Sequence, residues 1–231
     1  MPKATQVNAM FGRIAERYDL ANQLLSFGID RVWRDRLVDE VDWRRPKSVV
    51  DLATGSGDVA FALLQALPDA VEIKALDFCE PMIEQAKSKQ RHSEDTRIEF
   101  SVGDILSLPI ESAWADAVTI AFGYRNLENR ATGLSEMKRV LKAKTGHLFV
   151  LEFSQPHPVY RPFYYYYLKT LLPNMASLIT GDKAAYEYLS ESIEAFPDRN
   201  GISEELRQAG FTDVEAIPLA FGSVALHIAK A

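Results

Sequence analysis

The chain has 231 residues, 47% hydrophobic and 25% charged, which suits one large α/β domain with a sizeable core. A formal charge of -6 argues against a nucleic-acid partner, because gripping phosphates needs clustered Lys and Arg. One cysteine, Cys79, excludes an internal disulfide and suits a reducing compartment, so a cytoplasmic location is expected. Met1 to Met10 lacks the apolar core of a secretory signal, and no uninterrupted apolar run reaches membrane-spanning length. Val7 to Val41 carries apolar residues at helical spacing, with a break near Ser26–Gly28. Ser48-Val-Val-Asp-Leu-Ala53 is a short valine-rich run that ends toward glycine, as a buried parallel strand does. Val59 to Leu67 reads as a helix, Glu72 to Phe78 as a strand, and Pro81 to Gln90 as a helix with Pro81 near its start. Ile98 to Gly103 and Ala115 to Phe122 are strands, Arg130 to Leu141 is a helix, and His147 to Phe153 is a fifth strand. Val214 to Ala220 and Val224 to Ala229 flank Phe221-Gly-Ser223 as a hairpin.

Strands alternating with helices predict a parallel sheet with right-handed crossovers. Closing that sheet with an antiparallel hairpin predicts the α/β, Rossmann-like, seven-stranded fold of class I S-adenosylmethionine-dependent methyltransferases. No repeat or low-complexity linker divides the chain, so residues 1–231 are expected to be one domain. Residues 1–45 would form an N-terminal helical cap, and residues 155–200 a helical lid.

The most informative segment is Val49-Val-Asp-Leu-Ala-Thr-Gly-Ser-Gly-Asp58, a strand running through Gly-x-Gly into a helix. Gly55 and Gly57 can take positive φ and let a ligand approach the backbone closely. Ligands of open α/β sheets bind beyond the carboxyl ends of the strands, where this loop lies. Asp51 at the strand end is expected to meet the amino end of a bound cofactor. Asp77 closes the second strand and is placed to accept hydrogen bonds from ribose hydroxyls; its alternative is to cap the helix near Pro81. Gly103-Asp104 follows the third strand, where an acid can meet an adenine amino group. Gly55-x-Gly57-x-x-Ala60 also fits a dinucleotide fingerprint loosely, so a nicotinamide cofactor stays open on the loop alone. Uncompensated charge on Asp51 and Asp58 would repel a pyrophosphate, whereas a cationic sulfonium would be welcome. Cys79 is expected to be a small buried residue near the ribose edge.

Several longer strings carry a family resemblance. Tyr18-Asp-Leu-Ala-Asn-Gln-Leu-Leu-Ser-Phe-Gly-Ile-Asp-Arg-Val-Trp33 is similar to the Tyr-Asp-x-x-Asn…Ser-x-Gly-x-His-Arg-x-Trp signature of the ubiquinone/menaquinone biosynthesis C-methyltransferases. Ala121-Phe-Gly-Tyr-Arg-Asn126 resembles their Phe-Gly-x-Arg-Asn motif. Leu151-Glu-Phe-Ser154, Tyr188-Leu-x-Glu-Ser192, Phe196-Pro-Asp198 and Val224-Ala-Leu-His227 match as well, so the likeness runs from end to end. The signature histidine is Asp30 here, and the usual Lys-Pro-Gly-Gly turn reads Lys142-Ala-Lys-Thr-Gly146. The resemblance implies methyl transfer from S-adenosyl-L-methionine to a ring carbon of a prenylated quinol: demethylmenaquinol, a prenylated methoxybenzoquinol, or both. It carries cofactor contacts over to Ser56, Asp77, Asp104, Ile105 and Ala121.

An aromatic carbon becomes a better nucleophile when its ring hydroxyl ionises, so a base or a stabilising cation is needed. Arg125, just past the fourth strand, is the candidate for stabilising the quinolate, because arginine stays protonated. Asn126 would orient the hydroxyl or a water, and Tyr18 would donate a hydrogen bond. The four histidines are scattered without zinc spacing, so no metal is expected. A non-catalytic cofactor-binding partner in a quinone-synthesis assembly is the reading from another class. Val159-Tyr-Arg-Pro-Phe-Tyr-Tyr-Tyr-Tyr-Leu-Lys-Thr-Leu-Leu-Pro173 is too short to span a bilayer but rich in interfacial aromatics. It is expected either to touch the inner membrane face as an acceptor lid or to pack, including as a homodimer interface.

Overall fold

The computed structural model describes residues 12, 26, 28–91, 96–175 and 183–231. Most of the expected helix over residues 7–25, including Tyr18, lies outside them, as does His92. Seven strands form one sheet: β1 (Ser48–Leu52), β2 (Glu72–Asp77), β3 (Ile98–Val102), β4 (Ala117–Ala121), β5 (His147–Phe153), β6 (Thr212–Leu219) and β7 (Val224–Lys230). The order is β3-β2-β1-β4-β5-β7-β6. The first five strands run parallel, and β7 lies antiparallel to both β5 and β6. The expected fold is therefore present, with one arrangement the sequence pattern did not rank: β7 inserts inside the sheet and β6 takes the edge. Composition explains it. β7 is buried along all but its last residue, whereas β6 alternates with solvent and carries Pro218, which an edge tolerates.

The helices are α1 (Ile29–Trp43), α2 (Asp58–Ala66), α3 (Glu80–Gln90), α4 (Arg130–Val140), α5 (Arg161–Tyr166), α6 (Lys183–Glu194) and α7 (Arg199–Gln208). Strand side chains alternate between two cores. Val49, Ile73, Phe100 and Phe149 meet α1, α2 and α3 through Leu37, Leu63 and Ile83. Val50, Leu76, Ile120 and Val150 meet α4 and α7 through Leu134, Met137 and Leu206. Each fully buried aliphatic side chain contributes roughly 1.5–3 kcal/mol by leaving water. A third cluster, Leu168, Leu172, Tyr186 and Ile193, holds the π-helical stretch Tyr167–Leu171 against α6.

The break near Ser26–Gly28 is the left-handed Gly28 at the start of α1. In the altered turn before β5, Gly146 is the retained glycine that matters: a Cβ there would press on the Lys142 backbone at 2.8 Å. Strand order reverses between β1 and β4. Their carboxyl ends form the crevice where open α/β sheets bind ligands.

Candidate active site

A mostly apolar cavity opens at that reversal point. Ala53, Gly55, Asp77, Cys79, Met82, Asp104, Ile105, Ala121, Phe122 and Asn126 are among the residues lining it. The two strand ends that frame it are strained. Ala53 after β1 and Phe122 after β4 both hold positive φ, 50° and 56°. Such conformations cost on the order of 1–3 kcal/mol and persist where function holds them. Gly123 lets the two ends touch, because a Cβ there would collide with that of Ala53.

The glycine loop turns through Gly55 and Gly57, at φ of 57° and 91°. A Cβ built on Gly55 meets nothing within 4 Å, so its cavity side is open for a close ligand. Ser56 is buried at the loop's apex, and Gly57 starts α2. Asp77 accepts from Gly55 N–H and from Cys79 N–H, each at 2.8 Å. It thus ties the loops after β1 and β2 together, and its remaining lone pairs border the cavity. Asp77 is not the cap of α3, whose N-cap is Cys79. Burial pushes the Asp77 carboxyl above the usual carboxylate range, against the pull of its backbone hydrogen bonds. Cys79 is buried at the cavity wall, and burial raises its thiol too. Asp104 is exposed and accepts from Leu106 N–H at 2.8 Å, leaving its second oxygen available.

Asp51 lies differently from the expectation. It is 1% exposed and does not line the cavity. Thr54 and Thr119 hydroxyls donate to its two oxygens, both at 2.6 Å. Burial raises it to about 7; the two threonine bonds oppose this, and Asp77 and Asp58 add to it. Asp58 corrects the charge argument made from the sequence. Its carboxylate is compensated by Arg34 at 3.0 Å and Lys89 at 3.4 Å. Arg34 also pairs with Asp30 at 2.8 Å, and Ser26 donates to Asp30 at 2.5 Å. The residue standing at the histidine position thus holds Arg34, and Arg34 ties α1 to the first residue of the helix that follows the glycine loop.

Arg125 is not a free cation on a loop. It is 8% exposed and paired with buried Glu152 at 2.8 Å. The same nitrogen donates to the Phe122 carbonyl, bracing the strained turn. Glu152 also accepts Arg125 N–H and Phe153 N–H. Asn126 lines the cavity, and its carbonyl accepts from Tyr188 at 2.8 Å, so its two N–H groups remain to donate. Three buried polar atoms near this strand end have no partner: Arg125 Nε, Tyr164 Oη and Ser154 Oγ. Each such orphan costs about 1–3 kcal/mol. Glu152, and Thr54 and Thr119 as partners of Asp51, were not singled out from the sequence. An acid inside the apolar run Leu148–Phe153 was the available signal for Glu152. Among the described residues, no group of three His, Cys, Asp or Glu side chains converges as a metal site.

Known proteins match this architecture. The demethylmenaquinone methyltransferase of Thermus thermophilus is 43% identical over 220 residues, covering 95% of this chain and 98% of that one. The ubiquinone/menaquinone biosynthesis C-methyltransferase UbiE of Geobacter sp. is 39% identical over 228 residues, covering 98% and 96%. A solved SAM-dependent methyltransferase from Thermotoga maritima aligns with a TM-score of 0.66 at 16% identity, covering 96% of this chain and 98% of that one, a likeness of fold alone. The family model described as the ubiE/COQ5 methyltransferase family matches residues 1–231, and the chain belongs to that family.

Proposed function

We propose that this protein transfers a methyl group from S-adenosyl-L-methionine to a ring carbon of a prenylated quinol, either demethylmenaquinol or a prenylated methoxybenzoquinol. The supporting observation is the cavity in which Gly55 is open, Asp77 binds two loops, and Asp104 stands at the wall. When bound, S-adenosyl-L-methionine supplies an electrophilic methyl group on a sulfonium. Asp77 would accept from the ribose hydroxyls, Asp104 would accept from the adenine amino group, and Ile105 would pack on the base. Ser56 and Gly57 offer loop backbone, and Ala121 leaves room at the end of β4. Asp51 supports the loop through Thr54 and does not meet the ligand directly. Positioning of this kind lowers a barrier by roughly 7–11 kcal/mol in favourable cases.

Asn126 and Arg125 border the acceptor end, and Tyr18 is proposed to join them. The Arg125–Glu152 pair presents less net charge than a lone guanidinium would, so hydrogen bonding takes over much of its role. Val159, Tyr160, Phe163 and Tyr166 are exposed, and the Phe221 ring lies tilted 4.8 Å from that of Tyr160. Tyr164 and Tyr165 pack inward instead. No helix among the described residues is long and apolar enough to cross a membrane. The exposed aromatics suit a shallow contact with the bilayer that holds a prenyl tail. Incubation with methyl-labelled donor and a panel of reduced prenyl quinones should give a product one methyl heavier. Label transfer to none of them would refute the proposal.

A further inference from the structure

Asn126 lines the cavity, and its side-chain amide has two opposite faces, a carbonyl that accepts and an NH2 that donates. Which face meets the cavity decides what a ligand must present there. The torsion that exchanges the two faces is broad and roughly two-fold, so the side chain does not choose by itself. The backbone that carries it is held at both ends. The Glu205 carboxylate on α7 accepts from the Tyr124 hydroxyl at 2.7 Å, and from Arg130 Nε and Nη2 at 2.9 and 2.7 Å. Tyr124 is fully buried and Arg130 begins α4. One carboxylate therefore grips both ends of a segment whose middle, Asn126 to Glu128, lines the cavity. Between those ends, Arg125 N–H donates to Glu152 and Asn126 N–H to the Gly123 carbonyl, both at 3.1 Å. With the main chain fixed, the facing of the Asn126 amide is what remains to be set.

Tyr188 on α6 sets it. Its hydroxyl donates to Asn126 Oδ1 at 2.8 Å. Burial pushes the phenol above its ordinary value, so it keeps the proton it donates. The helix that carries Tyr188 is itself anchored. Ser190, two residues on, donates to the Leu168 carbonyl at 2.6 Å, and Tyr186 and Ile193 pack against Leu168 and Leu172. Tyr188 is half-buried and does not line the cavity.

Resting on the quinol reading above, we infer that Tyr188 is a positioning residue which, by holding Oδ1, presents Asn126 to the acceptor as a hydrogen-bond donor. The cavity at that point then takes a ligand oxygen with a free lone pair and disfavours a ligand donor, whose hydrogen would face the amide hydrogens. Tyr188 touches neither substrate, so its whole contribution to turnover passes through Asn126.

A double-mutant cycle tests this, with short-chain demethylmenaquinol as the acceptor. Tyr188→Phe removes one hydroxyl and keeps the ring. It should leave the thermal midpoint and the calorimetric affinity for S-adenosyl-L-methionine unchanged, and lower kcat/KM toward the quinol by roughly 3- to 10-fold. The same substitution made in Asn126→Ala should change kcat/KM by less than about twofold, because the group it orients is gone. Asn126→Asp keeps the bond from Tyr188 but offers acceptors in place of donors, and should lose quinol turnover at least as far as Asn126→Ala does. Wild-type kcat/KM in Tyr188→Phe, an equal loss from it in both backgrounds, or full activity in Asn126→Asp would each overturn the inference while leaving quinol methylation standing. Failure of the wild type on every quinol would overturn both this inference and the reading it rests on.

Discussion

The Asp51→Asn variant tests how the glycine loop is supported. Asp51 sits on β1 beneath the loop, 1% exposed, with both oxygens taken by Thr54 and Thr119. Asparagine keeps the shape, its carbonyl accepting from one hydroxyl and its amide donating to the other. Burial pushes the Asp51 carboxyl up to about 7 in the fold against an ordinary 3.8. The native state therefore holds a proton that the unfolded chain releases, and stability from this group is lost as pH rises between those values. Each pKa unit corresponds to about 1.4 kcal/mol, so the three-unit window amounts to about 4 kcal/mol. Urea unfolding of wild type and variant from about pH 4 to about pH 8 reports this group together with its coupling to Asp77 and Asp58, because titrating residues not coupled to Asp51 cancel in the difference. The variant should gain on the wild type steadily across the window, then level off above neutrality. A stability difference that stays flat with pH would refute the buried-carboxylate account.

Two further outcomes follow from the same geometry. Gly123→Ala places a methyl against Ala53, so it should lower stability by about 1–3 kcal/mol and weaken donor binding, seen by calorimetry with and without the demethylated donor. Wild-type values for both would show that the two strand ends do not set the cavity. Replacing Phe163 and Phe221 by serine removes exposed apolar surface, 78% and 75% exposed, and should leave the fold intact. Co-sedimentation with liposomes should fall by roughly tenfold or more per phenylalanine if each buries about 1.5–3 kcal/mol worth of side chain. Unchanged co-sedimentation would remove the membrane contact.

Much of this molecule is legible in sequence because its signals are local. The valine-rich run into Gly55-x-Gly57, the hairpin after Val214 and the acid closing β2 each declare themselves within a few residues. Asp77, Asp104, Ile105 and Ala121 all line one cavity. What was hidden depends on distant partners. Asp51 and Thr119 are 68 residues apart, and only their bond shows that the carboxylate is buried beneath the loop. Arg125 and Glu152 stand 27 residues apart, and only their pairing shows that the arginine's charge is already taken. Asp58 looked uncompensated until Arg34 and Lys89 came to it from α1 and α3. The aromatic run 159–173 gives its composition away but not its facing, because a helix with tyrosine at four consecutive positions has no readable apolar stripe.

Calorimetric titration of the wild type and Asp77→Ala is the most direct test of the central claim, that this cavity receives a methyl donor against Asp77. The wild type should release heat with S-adenosyl-L-methionine and with its demethylated product and none with NADH, and Asp77→Ala should lose most of that affinity. Saturable heat from NADH, with none from either sulfur compound, would contradict the account.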